Sequence, residues 1–116
     1  MLEAHWVWFD ASMVDVIDDL TANNWDHVFV INHEGAPQGR IRAVDVLKLI
    51  ARKKVNRDSA WMHSIPAQQL VNLPPITVNM TTPLLKAGAL MLTHDLNQIG
   101  VVDEDGALVG VVGHNT

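Results

Sequence analysis

The sequence predicts an α+β (α/β-like) fold in which one β-α-β-β-α unit occurs twice, the second copy without its closing helix. Three observations carry this. Residues 98–113 read as a β-hairpin: Ile99, Val101 and Val102 form one apolar run, Leu108, Val109, Val111 and Val112 another, and Asp103, Glu104, Asp105 and Gly106 lie between them. Both runs are apolar at consecutive positions, so other parts of the chain must cover both faces of the hairpin. A shift of 71 residues lays this hairpin on residues 27–42 without a gap, Val30 on Val101, Gly35 on Gly106, Ala36 on Ala107 and Gly39 on Gly110. The register also holds upstream, where Val7 falls on Val78 and the helix-like residues 13–24 fall on 84–95, as a duplication requires.

Each element has a local cause. Residues 5–9 are bulky throughout and make the first strand, with Trp6 and Trp8 on one side and Val7 and Phe9 on the other. Asp10 or Ser12 caps a helix to about Asn23, in which Met13, Ile17 and Leu20 form the apolar stripe and Asp15, Asp18 and Asp19 stay in water. The first hairpin follows, and glycine at the end of its turn supplies positive φ and so sets the register. Val44, Leu47, Ile50 and Ala51 then mark a second helix to about Lys53. Residues 54–64 have no clear period and are read as the connection between repeats 1–53 and 65–116.

In the second repeat a short helix is expected over residues 65–71, with Pro66 at its first position, before Pro74 and Pro75 force extended backbone into residues 76–80. Thr82 before Pro83 starts the next helix. Its leucines, alanines and Met91 leave little polar surface, so it is expected to be the more deeply buried helix of the pair. The four tryptophans, Trp6, Trp8, Trp25 and Trp61, are read as core. Where the first copy continues into a helix the second stops at Thr116, which points to a piece cut from a longer chain or to a helix replaced by another molecule.

Bulk properties narrow the class. With 48% hydrophobic and 18% charged residues in 116, the chain can bury one modest core that two repeats must share. It contains no cysteine, which excludes disulfides and zinc-thiolate sites and suits a reducing compartment. No apolar run is long enough to span a bilayer, so a soluble cytoplasmic protein that does not engage the membrane is expected. A net charge of −5 argues against nucleic acid as partner. Seven of the eight Lys and Arg residues nevertheless lie between Arg40 and Arg57, a local site for phosphate or an acidic partner, or a solvated helix face and linker.

The duplicated unit, with Ile99, Gly100, Val101, Val102 and Asp103 followed by Gly106 and Gly110, and with Ile76, Thr77 and Val78 ahead of the helix, resembles the cystathionine-β-synthase (CBS) domain. That family occurs as tandem pairs. The resemblance implies two sheets related by a pseudo-twofold axis, with clefts between them that bind adenosine compounds such as AMP, ADP, ATP or S-adenosylmethionine as regulatory ligands. It also implies a homodimer and an attached or partner effector, with no chemistry and no catalytic cofactor of its own.

The family's ligand motif runs Gly, two apolar residues, Ser or Thr, two variable residues and Asp. In the first repeat it falls on Gly39 to Asp45, keeping Asp45 as a ribose acceptor but placing Arg40 at an apolar position and Arg42 at the hydroxyl position. Arginine there either holds a phosphate or fills the cleft. Asp45 can equally cap the helix that follows. In the second repeat Gly113 stands at the hydroxyl position and Thr116 where the acid belongs, while Thr77 keeps the family's hydroxyl on the first strand. Phe29 stands where the second repeat has Gly100 and narrows the first cleft.

Other chemistry has little support. The histidines show no i, i+4 pair that would suggest a metal site, and the acidic turn of residues 103–105 reads as solvated. Two functions follow: a ligand-sensing module resting on Asp45, Arg40 and Arg42, or a structural dimerisation module whose degenerate, ligand-free clefts are filled by side chains, resting on Gly113, Thr116 and Phe29.

Overall fold

The computed structural model of the chain describes residues 3–23, 25–52, 60–71, 73, 75–94, 96 and 98–113. Its elements run β1 (Trp6–Trp8), α1 (Met13–Asn23), β2 (His27–Ile31), β3 (Pro37–Arg42), α2 (Ala43–Arg52), α3 (Ala60–His63), a 3-10 turn (Ala67–Gln69), β4 (Thr77–Asn79), α4 (Leu84–Thr93), β5 (Gln98–Val102) and β6 (Leu108–Gly113). They make two three-stranded sheets, β1-β2-β3 and β4-β5-β6. In each, the first pair is parallel and the second an antiparallel hairpin. Val30 faces Gly39 as Val101 faces Gly110, and each ladder shifts register at the next residue, Ile31 and Val102. The sequence repeat is therefore a repeat of hydrogen-bond register. The described part of the second repeat ends with β6, at the position where the first repeat passes into α2.

The turns repeat down to single bonds. Asn32 Oδ1 accepts from the Glu34 and Ala36 amides, both at 2.9 Å, and Asp103 Oδ1 from the Asp105 and Ala107 amides at 2.9 and 3.0 Å. The acidic turn thus uses Asp103 to fold its own backbone. Gly35 and Gly106 close the turns at φ of 84° and 83°. A methyl at Gly106 would touch nothing within 4 Å, so Gly106→Ala should cost only the left-handed backbone penalty. We expect a loss of about 1–2 kcal/mol in urea unfolding, with the slope unchanged; an unchanged midpoint would contradict the turn geometry.

Helices cover one face of the first sheet. Val28, Val30 and Ile41 pack against Met13, Val16 and Leu20 of α1 and Val46 of α2. The buried stripe of α1 uses Val16, with Ile17 at its margin, and the Ser12 hydroxyl caps the helix by accepting from the Asp15 amide at 3.2 Å. The segment ahead of β4 also docks here. The Ile65 carbonyl accepts from the Met13 amide (2.8 Å), the Ala67 and Gln68 amides donate to the Ala11 and Phe9 carbonyls (2.7 and 2.9 Å), and Ala67 is buried in this core. The helix expected over residues 65–71 is reduced to the 3-10 turn, with Pro66 extended at φ −76°, ψ 151° just before it, because these backbone groups bond across to residues 9–13. Within the stretch read as a connection, residues 60–63 form a helical turn.

The second sheet is covered by α4, which rests Ala87 on Val78, Ile99 and Val101. Contrary to the expectation from its composition, α4 is the less buried of the two helices. Leu85 is 89% and Leu92 86% exposed, whereas α1 buries three side chains. Apolar composition shows that a face can be buried, but only a neighbour buries it. Pro83, extended at ψ 143°, precedes the first helical residue, and Thr82 instead bonds Asn79 through its hydroxyl. The tryptophan expectation also fails for β1: Trp6 and Trp8 are 40% and 46% exposed, ring centroids 5.0 Å apart, because both lie on the sheet face that the helices do not cover. Trp25 is half-buried and stacks on His5 at 4.2 Å; the side chain of Trp61 lies outside the described residues.

A third, smaller cluster joins the repeats. Ala4, Phe29, Ile31 and Val111 are buried together, and the Leu108 amide donates to the Gly35 carbonyl at 2.9 Å. The shared core foreseen for two small repeats is this cluster, while each sheet also packs its own helix.

Candidate functional site between the repeats

Strand pairing places the predicted residues. Trp6, Phe29 and Arg40 line up across β1, β2 and β3, and His27 faces Arg42 one pair further along the same face. This is the face turned to the second sheet, since Phe29 reaches Gly100. A methyl at Gly100 would lie 2.8 Å from Phe29 Cζ and 3.1 Å from Thr77 Cγ2. Phe29, Thr77 and Gly100 are thus brought together, and Phe29 takes the space its counterpart glycine leaves open.

Asp45 is the third residue of α2, and the position before the helix is Arg42. The capping alternative is therefore corrected: Asp45 sits inside the first turn, where its charge favours the helix dipole. Arg42 Nε donates to Asp45 Oδ2 at 2.8 Å and Nη2 to Oδ1 at 3.1 Å, a two-bond ion pair. Arg42 is raised above the ordinary guanidinium pKa by that hydrogen bond first and by the Asp45 charge second.

Arg40 is 7% exposed, its amide donating to the Leu73 carbonyl at 3.0 Å. Burial, then the charge of Arg42, lowers its pKa. The segment carrying Leu73 comes so close to β3 that a methyl at Gly39 would overlap Val71. Beside it a cavity of about 370 Å³ is lined by Asp45, Val46, Lys48 and Leu49 of α2 and by Gln69, Leu70 and Val71. That volume falls in the range of small-molecule pockets. Gly113 faces Gln98, the place Arg42 holds opposite His27, and Thr116 lies outside the described residues. Lys48, one of the basic residues read as a local phosphate site, lines the cavity, whereas the sequence reading missed His27 and the cavity wall of Gln69 to Val71. Pairing of the two hairpin strands would have put His27 opposite Arg42, but no local signal shows that residues 69–71 fold onto α2.

Among the described residues no group of three or more His, Asp, Glu or Cys side chains converges as a metal site, and no helix is long and apolar enough to cross a membrane.

Two α+β repeats meeting sheet to sheet, each with the same strand register, define a tandem pair module. The chain belongs to the CBS domain family, whose model matches residues 3–52 and 67–115. The uncharacterized protein MJ1404 of Methanocaldococcus jannaschii is 26% identical over 112 residues, 97% of this chain. The chain spans a quarter (25%) of that relative's length. The fold matches the CBS domain protein PAE2072 of Pyrobaculum aerophilum, solved with AMP, at 24% identity and a TM-score of 0.75, covering 99% of this chain and 83% of that one. It also matches CbpB, solved with c-di-AMP, at 18% identity and a TM-score of 0.78, covering 97% and 72%.

Proposed function

We propose that this CBS pair is a regulatory module that binds an adenosine-type ligand, AMP, ADP, ATP or S-adenosylmethionine, at Asp45 and controls an attached or partner effector. The observation that carries it is the Asp45 carboxylate, held by Arg42 at the edge of a cavity of about 370 Å³. Asp45 accepts the ribose hydroxyls, the apolar wall of Val46, Leu49, Leu70 and Val71 receives the base, and Arg40 and Arg42 face the phosphate. AMP and c-di-AMP in the structures of PAE2072 and CbpB support this ligand class. We further propose that protomers pair through the exposed leucines of α4, as a cytoplasmic homodimer.

The test is a thermal-shift and calorimetric screen of the four ligands against the native chain and Asp45→Ala. A ligand at a hundredfold excess over its dissociation constant should stabilise the native chain by roughly 2.7 kcal/mol and leave Asp45→Ala nearly unshifted. Phe29, packed over Gly100, favours a second reading, a structural module with ligand-free clefts. Four ligands without effect on the native chain would select it.

A further inference from the structure

Three basic side chains gather on one sheet face at the proposed phosphate end. His27 is the register partner of Arg42, and Arg40 lies two residues along β3, opposite Phe29, whose ring is 6.2 Å from the His27 imidazole. Directly opposed side chains on one face of an antiparallel pair, such as His27 and Arg42, stand about 5 Å apart and diagonal ones, such as His27 and Arg40, about 7–8 Å, near enough for one anion to lie between them. Around the imidazole, β3 contributes Arg40 and Arg42, the segment before β1 contributes His5, itself beside Glu3, and the turn before β2 contributes Asp26. Asp45 of α2 is engaged by Arg42.

We propose that this site takes up a proton together with its anion, the His27 imidazole being the acceptor. The inference deepens the ligand reading above and rests on it. Without an anion, the imidazolium would sit half-buried beside Arg40 and His5, with Asp26 the one group among the described residues that favours it. Burial first, then Arg40 and His5, hold the His27 pKa below its ordinary value of 6.5. A phosphate between His27 and the two arginines reverses that field. It cancels the repulsion, and the protonated ring offers two N–H donors where the neutral ring has one. The pKa of His27 therefore rises on binding, and linkage requires that affinity rise as pH falls through the bound-state pKa, levelling off below the free-state value. The steepest slope one proton permits is about tenfold per pH unit.

AMP and ATP are the probes. Their phosphates also titrate near pH 6, an effect common to any variant, so the informative quantity is the ratio of affinities of the native chain and His27→Gln. That ratio should grow severalfold in favour of the native chain between pH 8 and pH 6. Calorimetry in two buffers of different ionisation heat should show extra proton uptake by the native chain alone. Should His27→Gln fail to fold, NMR titration of the native imidazole serves instead, with a pKa below 6.5 in the free chain that moves upward when AMP or ATP saturates it. Binding with equal pH profiles, or an imidazole pKa that does not rise, overturns the proton linkage and leaves the adenosine reading standing. Absence of binding at every pH from 5.5 to 8.5 overturns both.

Discussion

Gly100→Ala should lower stability by about 1–3 kcal/mol, the cost of forcing extra volume into a packed site. The added methyl would stand 2.8 Å from Phe29 Cζ and 3.1 Å from Cε1, and Phe29, 2% exposed, has no open side to turn to. In a small domain each kcal/mol lowers the melting temperature by roughly 4–8 °C, so the loss is readily seen. Phe29→Leu shortens the opposing ring. The double variant should therefore lie closer to Phe29→Leu alone than the sum of the single effects, a coupling above about 0.5 kcal/mol. Additive losses, or an unshifted Gly100→Ala, would show that the two sheets do not meet through this pair. The prediction bears on function because Phe29 and Gly100 set how closely the repeats approach at the cleft.

Glutamates at Leu85 and Leu92 should convert a dimer into a monomer. The two leucines are seven residues apart on α4, on one face, and 89% and 86% exposed in the single chain. Burying a leucine is worth about 1.5–3 kcal/mol, and 1.4 kcal/mol is a factor of ten in a dissociation constant. In a symmetric interface each substitution counts twice. Sedimentation at tens of micromolar should give a dimer for the native chain and a monomer, with an unchanged fold by circular dichroism, for Leu85→Glu/Leu92→Glu. A native monomer, or a variant that still dimerises, would exclude α4 as the contact.

Part of the candidate site was legible in the sequence and part was not. Asp45, Arg42 and Arg40 follow from the place of a motif after the last strand of a repeat, and chain proximity brings Arg42 onto Asp45 three residues later. One wall of the cavity comes from residues 69–71, seventeen or more positions beyond the end of α2. Nothing in their composition states which helix they meet. His27 belongs to the site only because the hairpin register faces it with Arg42.

Local sequence encodes the two units, their hairpins and their turns. Each depends on interactions within a few residues: glycine at positive φ, Asn32 and Asp103 folding their own turns, Ser12 capping α1. The tertiary structure alone decided which apolar surfaces are covered. By composition Trp6, Trp8, Leu85 and Leu92 are core residues, yet Trp6 and Trp8 are 40% and 46% exposed and the two leucines 89% and 86%, while charged Arg40 is buried. Burial is a property of two surfaces that meet: the segment carrying Leu73 comes up to Arg40, whereas among the described residues nothing covers Leu85 or Leu92.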